Sequence, residues 1–303
     1  MTTTPSQSTK PSQPTKPHQS IADQAEHLGD VAVRNEHVAP WFDRLTRTGY
    51  AAKGVTYLLM GWLALLAAFS QGGSMTDQRG ALQYLADQPF GVFLLGMVAV
   101  GLAGYALWYV ARGIFDLDRK GTDAKGIAGR LLYLLVGGSY FGLALGAFRV
   151  AFSVGSAGDS SDTSTRDWTA TIMQYEWGTA MIVVGGLVML GVAGVQFYQA
   201  YTASFATHLD QYEMTATARE WVIRLGRIGL SARGLIFGII GLFLIVAAMN
   251  RNPEEARGIG GALEALAAQP YGLLLAGVVG AGLVAYGAHS LAQARYLRLA
   301  QLK

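Results

Sequence analysis

The sequence predicts an all-α integral membrane protein, a six-helix bundle of three tandem helical hairpins with a pseudo-threefold axis along the membrane normal. Three observations predict it. Six apolar runs are each long enough to cross a bilayer. The basic residues gather on alternate connections between those runs. The stretch Gln88-Pro89-Phe90-Gly91 returns as Gln269-Pro270-Tyr271-Gly272, again at the head of an apolar run.

The runs lie near residues 50–69, 90–110, 130–152, 177–200, 230–249 and 271–291. A helix needs about 20 residues to cross a hydrocarbon core of roughly 30 Å. Composition agrees: 51% of the 303 residues are hydrophobic and 14% charged, whereas an average soluble domain carries roughly a quarter charged residues. Soluble proteins rarely hold six runs of this length, and the alternating pattern of outer-membrane strands is absent.

Residues 1–19 are mostly Thr, Ser, Gln, Pro and Lys, and the mixed stretch that follows to residue 40 is taken with them. Such a segment cannot bury enough apolar surface to offset its ordering entropy, so a disordered cytoplasmic tail is expected. A secretory signal would place an apolar core here; the first apolar run is instead expected to be an uncleaved span. Pro40-Trp41-Phe42 suits a short interfacial helix, with Pro in the first turn and the aromatics at headgroup level. Hairpin units are expected over residues 41–112, 113–206 and 207–303.

Orientation follows from Lys and Arg. Lys10, Lys16, Arg34, Arg44, Arg47 and Lys53 precede or enter the first span. Arg112, Arg119, Lys120, Lys125 and Arg130 lie between the second and third. Arg219, Arg224, Arg227 and Arg233 lie between the fourth and fifth, and Arg295, Arg298 and Lys303 follow the last. These are most of the 23 basic residues; Arg79, Arg149, Arg166, Arg251 and Arg257 lie on the other side. The positive-inside rule then places both termini in the cytoplasm, and the chain is expected to be an integral inner-membrane protein.

The first and last hairpins match at constant spacing. Trp41, Arg44, Leu45, Arg47 and Gly49 pair with Trp221, Arg224, Leu225, Arg227 and Gly229, an offset of 180. Lys53/Arg233, Gly54/Gly234 and Gly61/Gly241 continue it. After one inserted residue, Gly91, Gly101 and Tyr105 pair with Gly272, Gly282 and Tyr286. The middle hairpin is a diverged copy. Gly126-Ile127-Ala128-Gly129-Arg130 can be laid on Gly49 to Lys53, and Trp177-Gly178 on Phe90-Gly91. Units with an even number of spans all point the same way, as parallel repeats about the membrane normal do. A twofold relation between the outer hairpins, with the middle one as filler, is the alternative.

Three two-helix units, two of them carrying Gly49-Tyr50-Ala51-Ala52-Lys53-Gly54 and Gly229-Leu230-Ser231-Ala232-Arg233-Gly234, resemble a bacterial multi-pass membrane family, domain of unknown function 1206. The resemblance covers residues 41–291 and implies the topology. It implies no activity.

Two residue sets are candidate sites. Gly138, Gly142 and Gly146 are spaced by four, as are Gly234 and Gly238; Gly54/Gly61 and Gly234/Gly241 are spaced by seven. Small residues on one helix face let backbones approach closely, for packing within the chain or against a protein partner or second copy. The second set is Arg47, Lys53, Arg130, Arg227 and Arg233. Such residues anchor spans by snorkelling. Alternatively Lys53, Arg130 and Arg233, taken as one repeat position, face the axis and bind an anion or an anionic lipid headgroup.

Absences narrow the chemistry. The chain has no cysteine, so no disulfide, thiolate metal site or cysteine nucleophile is expected. No carboxylate sits in mid-span, where proton and cation relays carry them. His289 is the one histidine within a run, too few for a catalytic zinc. Nucleophile elbows, Walker loops and zinc-helix motifs are missing. No cofactor, metal or nucleic-acid partner is expected. The leading expectation is a non-enzymatic scaffold or accessory subunit that binds helices or lipids. A small-solute or ion channel or carrier, lined by Gln83, Tyr105, Gln174, Gln196, Gln199 or Tyr286, is the second reading, and a membrane enzyme the third.

Overall fold

The structure is a computed structural model that describes residues 40–69, 75–117, 120–152, 160–209 and 214–296. The tail expected over residues 1–40, apart from Pro40, and Arg119, Arg298 and Lys303 lie outside the described residues. Among the described residues nine α-helices follow in order: α1 Pro40–Ala68, α2 Gln78–Ala86, α3 Gly91–Ile114, α4 Ala124–Ala151, α5 Ser161–Met173, α6 Gly178–Thr202, α7 Ala216–Asn250, α8 Ile259–Ala267 and α9 Gly272–Tyr296. Six of them, α1, α3, α4, α6, α7 and α9, are long and apolar enough to cross a membrane. The segment at Pro40 is continuous with α1 rather than a separate interfacial helix.

Each unit is a long helix, a short helix and a returning long helix. The returning long helix of each unit packs on the first helix of the next: α3 on α4, α6 on α7, and α9 on α1. The third seam closes the ring, so the relation is a pseudo-threefold one. Within units one and three the two long helices also pack, α1 on α3 and α7 on α9, whereas α4 and α6 do not pack on each other.

Glycine explains the closeness of the three seams. A Cβ on Gly54 would stand 2.9 Å from the Gly287 carbonyl oxygen. One on Gly137 would stand 3.1 Å from the Ala106 oxygen, and one on Gly234 3.3 Å from the Ala193 oxygen. Lipid supplies no hydrophobic drive between helices, so such close approach is what holds a membrane bundle together.

These contacts correct the register of the middle copy. Ala106 and Gly287 occupy one repeat position, so the glycines facing them do too. Gly137 is therefore the counterpart of Gly54, a spacing of 83 rather than the 77 obtained by laying Arg130 on Lys53. The counterpart of Lys53 is Val136, and Arg130 matches Arg47 and Arg227. The side chains agree. Arg47 donates to the carbonyls of Ala294 (3.5 Å) and Arg295 at the end of α9. Arg130 donates to those of Gly113 and Ile114, both at 2.8 Å, at the end of α3. These four carbonyls are two repeat positions, and the last turn of a helix leaves carbonyls in need of donors.

The repeated Gln-Pro-aromatic-Gly stretch is the turn into the returning helix. Gly91 N donates to Gln88 O at 2.7 Å, and Gly272 N to Gln269 O at 2.7 Å. Phe90 and Tyr271 take left-handed backbone, φ 61° and 60°. Pro89 thus sits within the turn, two residues ahead of α3, and not in its first turn. A Cβ on Gly91 would lie 2.1 Å from Leu85 O, so only glycine fits there.

The short helices close one end of the axis, the end away from the start of α1 and the end of α9. Asp77 caps α2 by accepting from Gly80 N (3.0 Å) and also accepts from Ser161 N (2.6 Å) of the next unit. Asp162 accepts from Gly258 N (2.6 Å) and Gly261 N (2.9 Å) of the unit after that. Each carboxylate thereby satisfies orphan N–H groups of a neighbouring helix start.

Candidate functional site: a cation pair on the pseudo-threefold axis

Lys53 on α1 and Arg233 on α7 hold the same repeat position, about two turns into their spans. The glycine one turn earlier places a tyrosine beside each. Gly49 lies against the backbone of Tyr105, and Gly229 against that of Tyr286, where an added Cβ would stand 2.8 Å and 2.5 Å away. With the helices this close, Lys53 Nζ donates to the Tyr105 hydroxyl at 3.0 Å. Arg233 Nη1 donates to the Tyr286 hydroxyl at 2.6 Å. The two bonds are one interaction made twice by the repeat.

Both cations also face the Tyr286 ring, Lys53 Nζ at 4.9 Å and Arg233 Cζ at 4.5 Å from its centroid. Lys53 lies 5.0 Å from the Tyr105 ring and 5.6 Å from Tyr50. Arg233 lies 5.3 Å from Tyr57 and 5.1 Å from Phe237. Edge-to-face packing joins Tyr57 to Tyr286 (4.8 Å) and Tyr105 to Tyr140 (4.7 Å). Tyr57, Tyr140 and Phe237 are one position in the corrected register, so each unit sends an aromatic ring to the axis. Gln78 of α2 donates to the Tyr57 hydroxyl at 3.1 Å, tying the short helix to the cluster.

The charge of the site is unbalanced. Lys53 is only 5% exposed. Arg233 is half-buried, and its Nε is buried without a hydrogen-bond partner. Among the described residues neither cation forms an ion pair. Cation–π contacts contribute roughly 0.5–2 kcal/mol each, whereas taking an ion out of water costs several kcal/mol. A negative group between Lys53 and Arg233 would offset that cost, so the arrangement can bind one. At the middle corner Val136 and Val192 replace the cation and the tyrosine.

The other expected residues fall elsewhere. Arg47 and Arg130 cap helix ends. Arg227, their counterpart, makes no such bond among the described residues and lines an open groove of about 710 Å³ with Phe197, Ala200, Tyr201 and Ser231. Gly61 and Gly241 meet Gly280 and Gly186 backbone, each within 2.8 Å of an added Cβ. Gly146 is buried in α4, and Gly238 makes ordinary contact with Ala193 at 3.8 Å. Gly138 and Gly142 have nothing within 4 Å; their neighbour Gly137 forms the seam instead. His289 is buried, hydrogen-bonded to Val222 O at 3.1 Å and packed on Phe205. Gln83 and Gln174 are exposed and Gln196 is buried on α6. The pairing of each cation with a tyrosine escaped the sequence reading, although Tyr105 and Tyr286 recur with Lys53 and Arg233. The signal is that joint recurrence on two helices of one hairpin.

Fold and site together define a multi-pass α-helical membrane protein of three tandem hairpin units with a cationic, tyrosine-lined axis. The chain belongs to the family described as Domain of Unknown Function (DUF1206), whose pattern matches residues 48–116, 131–203 and 228–297. Those segments start with the same spacings, 83 and 180, that the seam contacts give. The chain is similar to the uncharacterized protein YxxB of Bacillus subtilis (strain 168), 33% identical over 261 residues that cover 86% of this chain and 93% of that protein. No solved structure matches.

Proposed function

We propose that the protein is a non-enzymatic component of a bacterial cytoplasmic membrane that binds an anionic group between Lys53 and Arg233, with both termini in the cytoplasm. The observation that carries this is the cation pair, buried at Lys53 and half-buried at Arg233, which meets no carboxylate among the described residues. The orientation rests on the basic residues gathered at the termini side. Purified wild-type protein in mild detergent is expected to retain an anionic species, or to bind added inorganic phosphate, in native mass spectrometry. The K53Q/R233Q variant is expected to lose it and K53R to keep it. Equal retention by wild type and a folded K53Q/R233Q would defeat the proposal.

A second reading, an accessory subunit that holds a partner helix or a second copy, is favoured by the free faces of Gly138, Gly142, Gly185 and Gly194, which meet nothing within 4 Å. Small-residue faces of this kind suit helix association in lipid. Bulky substitutions at Gly138 and Gly142 that leave co-purifying protein and oligomeric mass unchanged would remove it.

A further inference from the structure

We infer that the anion is the headgroup of an anionic lipid, which reaches Lys53 and Arg233 sideways, its acyl chain lying between α4 and α6. This rests on the proposed anion site and names its ligand class.

The argument begins with what holds the other two hairpins shut. In the first unit Gly49, Ala52 and Gly101 let α1 and α3 touch: a Cβ on Gly101 would stand 2.6 Å from that of Ala52. In the third unit Gly229, Ala232 and Gly282 do the same, with 2.4 Å between an added Gly282 Cβ and Ala232. In the corrected register the middle unit has Leu132, Leu135 and Val188 at these positions. Three branched side chains replace Gly, Ala and Gly, so α4 and α6 cannot close on each other. The consequence is seen in exposure: Leu132 is 44%, Leu135 67% and Val188 49% exposed. Ser139, Gly191 and Val195 are exposed as well, although their counterparts Thr56, Gly104 and Trp108 are buried. The positions that seal two hairpins line an open, apolar gap in the third.

The gap leads to the cation pair. Tyr105 and Tyr286 each cover a cation from the returning long helix of their own unit, whereas Val192 on α6 covers none. Tyr140, beside Ser139 on α4, is partly exposed and packs edge-to-face on Tyr105. The axis is closed by α2, α5 and α8 at the end away from the start of α1 and the end of α9. A route from the bilayer with greasy walls and two cations at its inner end complements a molecule with an apolar chain and a negative head. A partner helix filling the gap would leave the charges unmatched. A free inorganic anion would leave the apolar walls unused.

Native mass spectrometry of the full chain, titrated with phosphatidylglycerol, phosphatidylethanolamine or inorganic phosphate, tests this. Three proteins are compared: wild type, K53Q/R233Q, and the gap-closing L132G/L135A/V188G, each verified as folded by circular dichroism and thermal unfolding. Wild type is expected to hold phosphatidylglycerol at least tenfold more tightly than phosphatidylethanolamine. K53Q/R233Q is expected to lose that preference. L132G/L135A/V188G is expected to lose phosphatidylglycerol while still binding phosphate. Should the gap-closing variant fail to fold, L135W/V188W fills the gap instead and carries the same expectation. Phosphate binding that depends on Lys53 and Arg233, with phosphatidylglycerol retention indifferent to the gap, overturns the inference and leaves the anion site standing. Indifference of both ligands to K53Q/R233Q overturns both.

Discussion

Gly54 and the carbonyl oxygen of Gly287 face each other where the ring of units closes: a Cβ on Gly54 would stand 2.9 Å from that oxygen. The relationship recurs at Gly137 with Ala106 and at Gly234 with Ala193, so one short-range contact, made three times, sets the whole arrangement. Overfilling a tight seam costs about 1–3 kcal/mol. Gly54→Val and Gly137→Val are therefore expected to lower the thermal unfolding midpoint in a fixed detergent. Gly138→Val, one residue along on an open face, is expected to leave it unchanged. Equal damage from Gly137→Val and Gly138→Val would show that the seam does not run where the contacts put it.

Arg130 and Arg227 separate two roles that the sequence alone merges. Arg130 donates twice to the last carbonyls of α3, and charged hydrogen bonds contribute roughly 1.5–3 kcal/mol. Arg227 holds the same repeat position without such bonds. Arg130→Gln is expected to destabilise the fold by about 1–3 kcal/mol in denaturant titrations, again by the lost charged bonds. Arg227→Gln should stay within about 0.5 kcal/mol, as surface changes do. A large loss at Arg227 would mean that it caps α6 after all.

Much of this fold was legible from residue types. Six spans followed from length and apolarity, and the pairing of the outer hairpins from a spacing that held over dozens of residues. The middle copy was legible as a copy but not in register. Small residues recur along α4, so Gly126 to Arg130 imitated Gly49 to Lys53 six residues too early. What fixes register is which glycine meets a neighbour's carbonyl, a contact between units that no local pattern contains. The site shared this fate. Lys53 and Arg233 stand out by recurrence, but the shifted register sets Arg130 at their position, and nothing in the residue type marks Val136. The splaying of α4 from α6 was written in Leu132, Leu135 and Val188, and became readable only once the register was known.

Gly91 and Gly272 test the re-entry turn. A Cβ there meets the carbonyl oxygens of Leu85 and Ala267 at 2.1 Å, backbone that cannot retreat without unwinding α2 or α8. Gly91→Ala is expected to cut the yield of monodisperse membrane protein severely. Gly96→Ala, five residues on with nothing within 4 Å, is expected to be neutral or to stabilise α3 by up to about 1 kcal/mol through helix propensity. Equal yields for the two variants would remove the steric account of the turn.

Asp162 tests the closure of the axis. Its carboxylate accepts from Gly258 N and Gly261 N, while Ser161 Oγ accepts from Ile259 N at 3.1 Å. Asp162→Ala strands the first N–H groups of α8, and leaving a buried donor unsatisfied costs about 1–3 kcal/mol. Amide exchange at residues 258–261 is expected to quicken about tenfold or more, since 1.4 kcal/mol is a factor of ten. Asp162→Asn keeps one acceptor oxygen and should fall between. The effect should stay local, with the seams between long helices keeping their protection, because the short helices pack on the ring and do not form it. Uniform quickening across α1, α4 and α7 would instead make the cap part of the core on which the bundle depends.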